Sequence, residues 1–136
     1  MTYIGQSVKR VEDKRFTTGK GKYTDDIKLV GMTHAHIVRS PYAHAKILSI
    51  DIDTALAHPG VVAIFTGKDI AAAGINGVPA GWQVNFKDGT TMKEPPHPLL
   101  VADRVKHVGD GIAVVIAEDA ATAQDAAELI EIEYEV

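Results

Sequence analysis

The stretch Gly31–Ile52, GMTHAHIVRSPYAHAKILSIDI, constrains the chain most. It reads as two β-strands folded back on each other around Ser40-Pro41-Tyr42. On Met32–Arg39 the even positions are Met32, His34, His36 and Val38, and the odd ones are Thr33, Ala35, Ile37 and Arg39. Neither set is cleanly polar, which predicts a strand covered on both sides or set in a closed sheet. Pro41 has no N–H to donate, so Ser40-Pro41 stops the ladder. The second strand, Ala45–Ile52, alternates more clearly. Leu48, Ile50 and Ile52 share one face, with Ser49 and Asp51 on the other.

The remaining elements follow from punctuation and periodicity. Residues 1–26 are polar, basic and broken by Gly5, Gly19 and Gly21. They predict an extended arm with at most a helical turn near Val8–Asp13. Residues 27–136 form the domain proper. Asp53 or Thr54 caps a short helix, Ala55–His58, that ends at Pro59-Gly60. Val61–Phe65 is a buried strand by its β-branched run, and Ile70–Ala73 a brief helical segment. Residues 74–98 carry Gly74, Gly77, Gly81, Gly89, Pro79, Pro95, Pro96 and Pro98. A loop of this length inside a compact domain is usually functional or disordered. Arg104–Val108 then reads as a strand, Gly109-Asp110-Gly111 as a turn, and Ile112–Ala117 as a strongly apolar strand. Asp119 caps the main helix, about 119–130, whose Ala120, Ala123, Ala127 and Ile130 fall on one face. Ile132–Val136 alternates as a last strand, and a chain stopping mid-strand reads as truncated.

Composition removes several functions. The 136 residues are 46 % hydrophobic, enough for one sizeable core that buries roughly two thirds of the unfolded surface. There is no cysteine, so this chain makes no disulfide, thiolate zinc site, iron–sulfur cluster or cysteine nucleophile. MTYIGQSVKR has no apolar signal core, and no apolar run is long enough to span a membrane. A cytoplasmic protein is the expectation. The net charge of −4 is unevenly spread: Lys9, Arg10, Lys14, Arg15, Lys20 and Lys22 crowd the start, and no Lys or Arg follows Lys106. A basic arm docking on an acidic protein surface explains this better than nucleic acid, because few aromatics interleave the charges.

Local chemistry is sparse. His34 and His36 at i, i+2, with His44 across the proposed turn, could bind zinc as a small His-metal protein. Ordinary strand histidines making local hydrogen bonds are the competing reading. No carboxylate stands near to orient the rings, so no metal ligand is assigned. Asp25-Asp26 and the Asp51/Asp53 pair are too local for acid–base work. Ser40 lacks a nucleophile-elbow context, and Gly19-Lys20-Gly21-Lys22 lacks phosphate-loop spacing.

The ordered blocks carry a family likeness. Ile4-Gly5-Gln6-Ser7, Arg10, Asp13, Arg15-Phe16, Thr18-Gly19, Gly21 and Tyr23-Thr24-Asp25-Asp26 resemble the start of molybdenum hydroxylase large subunits. So do Gly31-Met32, His34-Ala35, Val38-Arg39-Ser40-Pro41, Ala43-His44-Ala45, Pro59-Gly60-Val61 and Phe65-Thr66-Gly67-Lys68-Asp69. Val108-Gly109 through Ala126-Ala127-Glu128-Leu129-Ile130 and Tyr134-Glu135 complete the pattern. These are the xanthine dehydrogenase, aldehyde oxidase and aerobic carbon monoxide dehydrogenase-like enzymes. The resemblance implies an α/β (α+β) fold, the a/b hammerhead, with a mixed curled sheet, one main helix and short helical turns.

It further implies that the molybdenum–molybdopterin cofactor and the catalytic groups lie downstream, with 2Fe-2S clusters and FAD in companion subunits or domains. The partners implied are the molybdopterin-binding domains and the iron–sulfur and flavin subunits, with no nucleic acid and no membrane span. No catalytic or cofactor-binding residue is assigned here, and the chain alone is expected to be inactive. The family often has Gly-Glu-Pro or Gly-Gln-Pro where this chain has Gly109-Asp110-Gly111. Trp82 and Phe86 in the long loop are the candidate lining of a substrate channel; the competing reading has both rings filling the domain's own core. A free-standing assembly or binding module docking on companion subunits is the alternative function.

Overall fold

The computed structural model describes residues 4–136. The chain divides into two compact units, one ending at Met32 and one spanning Thr33–Val136.

The first unit has more local order than a bare arm. Helix α1 covers Asp13–Thr17, later than the turn expected at Val8–Asp13. The Asp13 carboxylate accepts the Arg10 N–H at 3.2 Å and so marks where helical backbone starts. The Thr17 and Thr18 hydroxyls bond back to the carbonyls of Asp13 and Lys14, each at 2.7 Å. Phe16 stacks on Tyr23 with ring centroids 5.8 Å apart. A 3-10 turn at Thr24–Asp26 is closed by the Asp26 carboxylate, which accepts the Tyr23 N–H at 2.9 Å.

The second unit holds β1 (His34–Arg39), β2 (Ala45–Asp51), α2 (Asp53–Leu56), β3 (Val61–Thr66) and α3 (Gly67–Ala72). After the long loop come β4 (Arg104–Val105), β5 (Gly111–Ala117), α4 (Ala120–Glu128) and β6 (Glu131–Glu135). The α/β class and the single main helix agree with expectation. The sheet is not one mixed sheet: two three-stranded antiparallel sheets form, ordered β1-β5-β3 and β4-β2-β6.

The expected β1–β2 hairpin is therefore wrong. β1 pairs with β5 and β2 with β4 and β6, so the chain changes sheet at Ser40–His44. The same change occurs between β4 and β5, and the two corners are tied together. Ser40 N–H donates to the Asp110 carbonyl at 2.9 Å, and Gly109 N–H to the Ser40 carbonyl at 2.8 Å. The Arg39 guanidinium donates to the Gly109 carbonyl at 2.8 Å. Buried Ser40 accepts the Tyr42 N–H on its own hydroxyl at 3.0 Å, closing a tight local turn. Pro41 stops the ladder as expected, but these bonds carry the chain across to the other sheet.

β1 is an edge strand with alternating half-buried and exposed positions within this chain. One other expectation fails for reasons of backbone registry. In β2 the register shifts between Ile47 and Ser49, so the core-facing side runs from buried Ala45 and Ile47 to half-buried Ile50, and Leu48 stands 50 % exposed. A bulge adds one residue and reverses the alternation that places Leu48 beside Ile50. β4 is only two residues long, because the next N–H, of Lys106, bonds the Asp110 carboxylate at 2.9 Å instead of a strand.

The helices start where carboxylates hold them. α2 begins at Asp53, earlier than expected, with the Asp51 carboxylate accepting the Asp53 N–H at 3.0 Å. α3 begins at Gly67 instead of Ile70, because Thr66 and Asp69 form a capping box, with Thr66 N–H to the Asp69 carboxylate at 2.7 Å. Asp119 caps α4 as read from the sequence and accepts the Thr122 N–H at 2.8 Å. The buried stripe of α4 is Ala123, Ala126 and Ala127; Ala120 is exposed.

β5 joins two cores. Ile112 packs with Ala45, Ile47, Val101 and Val105 of the β4-β2-β6 side. Val115 points the other way and packs with Ala55, Ile64, Ala126 and Ala127 under α4. Each fully buried side chain of this size contributes roughly 2–3 kcal/mol of apolar burial, which makes β5 the strand on which both halves of the unit depend.

Candidate functional site

The loop between α3 and β4 is irregular, as its glycines and prolines require, but it is tied down by specific bonds. Glu94 is the anchor: its carboxylate accepts the Ala80 N–H and the Gln83 side-chain amide, the latter at 2.8 Å. Those bonds, the Ala80 one first, hold the Glu94 carboxyl below the usual glutamate range. Val78 N–H donates to the His97 carbonyl at 2.8 Å and closes the loop base. A Cβ on Gly77 would come 2.7 Å from the His97 carbonyl carbon, so only glycine lets the two segments approach.

Inside that base the chain makes a small antiparallel turn. Asn85 bridges Thr91, Phe86 N–H donates to the Thr90 carbonyl at 2.8 Å, and Met92 N–H to the Val84 carbonyl at 3.0 Å. Gly89 takes a left-handed φ of +84° at the tip. The Asp88 carboxylate accepts both the Thr90 hydroxyl at 2.7 Å and its N–H at 2.9 Å, and the hydroxyl bond chiefly lowers its pKa.

Trp82 and Phe86 sit on this framework, 82 % and 60 % exposed. Neither ring fills the core of its unit. Behind the loop lies an open cavity of about 500 Å³ between α3 and the Pro95–Pro98 run, lined among others by Ile70, Val78, Leu100 and Lys106. Trp82 and Phe86 do not line it. The geometry is one for holding a flat or apolar surface against the two rings. Both loop carboxylates, Asp88 and Glu94, have their pKa lowered by the hydrogen bonds they accept.

The three histidines are not brought together. His34 and His36 share the half-buried face of β1, and His44 lies in the corner between the sheets, 3.5 Å from the Arg104 guanidinium. Among the described residues no group of three His, Cys, Asp or Glu side chains is placed to hold a metal. Ser40 is committed to its turn, and Asp26 and Asp51 to theirs. The sequence reading missed Glu94, and it missed His97 and His107, whose rings meet edge-on at 6.4 Å. His107 lies 3.5 Å from the buried Asp110 carboxylate. Glu94 and His97 find their partners across a loop closure and carry no local mark, whereas the spacing of three residues between His107 and Asp110 was a local signal.

Comparison with known proteins agrees with this architecture. The family model described as aldehyde oxidase and xanthine dehydrogenase, a/b hammerhead domain, matches residues 18–136. The nicotine 6-hydroxylase large subunit of Paenarthrobacter nicotinovorans is 42 % identical over 97 % of the chain and 15 % of its own length. The carbon monoxide dehydrogenase large chain of Afipia carboxidovorans is 40 % identical, again over 97 % of the chain and 15 % of that protein. The crystal structure of quinoline 2-oxidoreductase from Pseudomonas putida 86 superposes with a TM-score of 0.83 at 44 % identity, covering 98 % of this chain and 16 % of that one. The chain thus spans about 15 % of the length of the curated relatives it matches.

Proposed function

The chain belongs to the a/b hammerhead domain family of aldehyde oxidase and xanthine dehydrogenase, and from that premise we propose that it serves as the first domain of a molybdenum hydroxylase large subunit. The whole enzyme would insert water-derived oxygen at a carbon of an aldehyde, an N-heterocycle or carbon monoxide. Iron–sulfur and flavin subunits would carry the electrons away, and the cytoplasm is the compartment proposed with it.

No residue of this chain is proposed as a ligand of the molybdenum cofactor. Among the described residues no buried side-chain polar atom lacks a partner, and the chain has no cysteine. The two buried polar side chains, Ser40 and Asp110, are both spent on the corner between the sheets. No chemical step is therefore assigned to these residues. The domain's part is to shape access to a centre held elsewhere in the enzyme.

The observation that carries this role is the ordered presentation of Trp82 and Phe86, large apolar rings held away from the core by the Glu94 and Asp88 bonds. Apolar rings left in water cost free energy, so a surface or ligand that covers them is favoured. The test is Trp82→Ala with Phe86→Ala in the complete enzyme. An aromatic contact is worth about 0.5–1.5 kcal/mol per ring beyond its buried area. The kcat/KM ratio between a flat N-heterocycle and a small aliphatic aldehyde should fall about fivefold or more. An unchanged ratio overturns the channel role.

A further inference from the structure

The β1-β5-β3 sheet has one face covered by α4 and one open face, and the open face carries apolar residues. The covered face carries Val38, Ala113, Val115 and Ile64 against α4. The other face follows from the register. Ala35 and Ala63 flank Ile116, and Ile37 and Phe65 flank Val114. These six residues form two cross-strand rows without a charge or a hydroxyl. The second sheet reaches only the Ile112 end of this face. Ile37 stays 42 % exposed and Phe65 45 % exposed.

An antiparallel sheet with a wetted face alternates apolar with polar residues, whereas apolar residues on both faces of a central strand mark a sheet covered on both sides. β5, GIAVVIA, is such a strand. Contiguous apolar surface of this kind identifies a contact site. The occupant is set by the size of the relatives: the chain accounts for only 15–16 % of their polypeptide, so most of the surface that could cover the sheet is absent here.

We propose that the Ala35, Ile37, Ala63, Phe65, Val114 and Ile116 face is the surface on which the remainder of the large-subunit polypeptide packs, through an apolar surface of its own. This rests on the large-subunit reading above and names the face through which that reading is realised.

The lack of cysteine makes the test direct. The chain replaces the matching segment of the nicotine 6-hydroxylase large subunit, its 42 % identical relative, carrying either Phe65→Cys or Ile37→Cys. Maleimide modification of the introduced thiol is followed by peptide mass spectrometry, natively and after unfolding in urea. The expected result is modification at least tenfold slower in the native, active chimera than in the unfolded one, for both variants. An active chimera whose introduced thiols react as fast as when unfolded overturns the surface assignment and leaves the large-subunit reading standing. A chimera that fails to assemble with the cysteine-free chain in place overturns that reading and this proposal with it. Dimerisation of the free 136-residue chain that Phe65→Glu abolishes, seen by sedimentation, assigns the face to a second copy and also overturns the proposal.

Discussion

Replacing Ile112 by Ala removes three carbons from the point where the two cores meet. Ile112 is fully buried, and its neighbours Ala45, Ile47 and Val105 sit on strands of the other sheet. Lost transfer energy alone is about 2.4 kcal/mol at 0.8 kcal/mol per carbon. The strand backbones around it are held by ladders on both sides and cannot collapse into the space, so a cavity cost adds, giving about 3–5 kcal/mol in all. For a domain of this size roughly 4 °C of melting temperature goes with each kcal/mol, so a drop of roughly 12–20 °C is expected. Val114, two residues along the same strand, lies on the open face and is only half-buried. Val114→Ala should cost about 1 kcal/mol or less. Urea and thermal melts of both variants, followed by circular dichroism, make the comparison, with Ile112→Val as the milder probe at about 0.5–1.5 kcal/mol. If Ile112→Ala costs no more than Val114→Ala, the two-core account of β5 is wrong.

Other consequences are equally specific. Leu48→Asp should be nearly neutral, within about 0.5 kcal/mol, whereas Ile50→Asp should cost about 1–3 kcal/mol by setting a carboxylate against the core that the half-buried Ile50 packs on; equal costs in denaturant melts would deny the bulge in β2. Gly67→Ala should destabilise by roughly 1–3 kcal/mol, because the added Cβ comes 2.6 Å from the Ala102 nitrogen, which as backbone cannot step aside; a neutral melt would contradict that close approach. Asp69 has its carboxyl pKa lowered below 3.8, first by the Thr66 N–H and then by the Thr66 hydroxyl. The unfolded state therefore binds the proton more readily. The stabilisation is complete above the unfolded pKa and is lost as pH falls through the lower folded value. The melting-temperature gap between wild type and Asp69→Asn should hold from pH 7 to about 5 and shrink below about 4; a gap constant to pH 2 would remove the capping box as its cause.

Local signals in the sequence were sufficient where local physics decided the outcome. The apolar run of β5 and the Asp119 cap of α4 are both visible in consecutive residues and both stand. Pairing partners were not visible. Ser40-Pro41 ends a strand equally well in a hairpin or in a crossing between sheets, and the choice is made by bonds to Gly109 and Asp110, about 70 residues away. The bulge at Leu48 exists only relative to β6, so the alternation in β2 misled. The long loop shows the same division. Its glycines and prolines announce irregular backbone, and Trp82 and Phe86 stand out by their size. Their exposure depends on Glu94, which reaches back 11 residues to Gln83 and has no sequence mark of its own. The histidines erred in the opposite sense: His34, His36 and His44 looked adjacent only because β1 and β2 were read as a pair.

The central claim is that this chain is a working domain of a molybdenum hydroxylase large subunit. The most direct measurement is the molybdenum content and substrate turnover of the nicotine 6-hydroxylase chimera in which this chain replaces the matching segment, which is 42 % identical to it. The account predicts molybdenum loading equal to that of the host enzyme and turnover within about tenfold of it, a loss of no more than about 1.4 kcal/mol in activation free energy. A folded chimera that carries molybdenum normally yet turns over no substrate, or one that never takes up the metal, would contradict it.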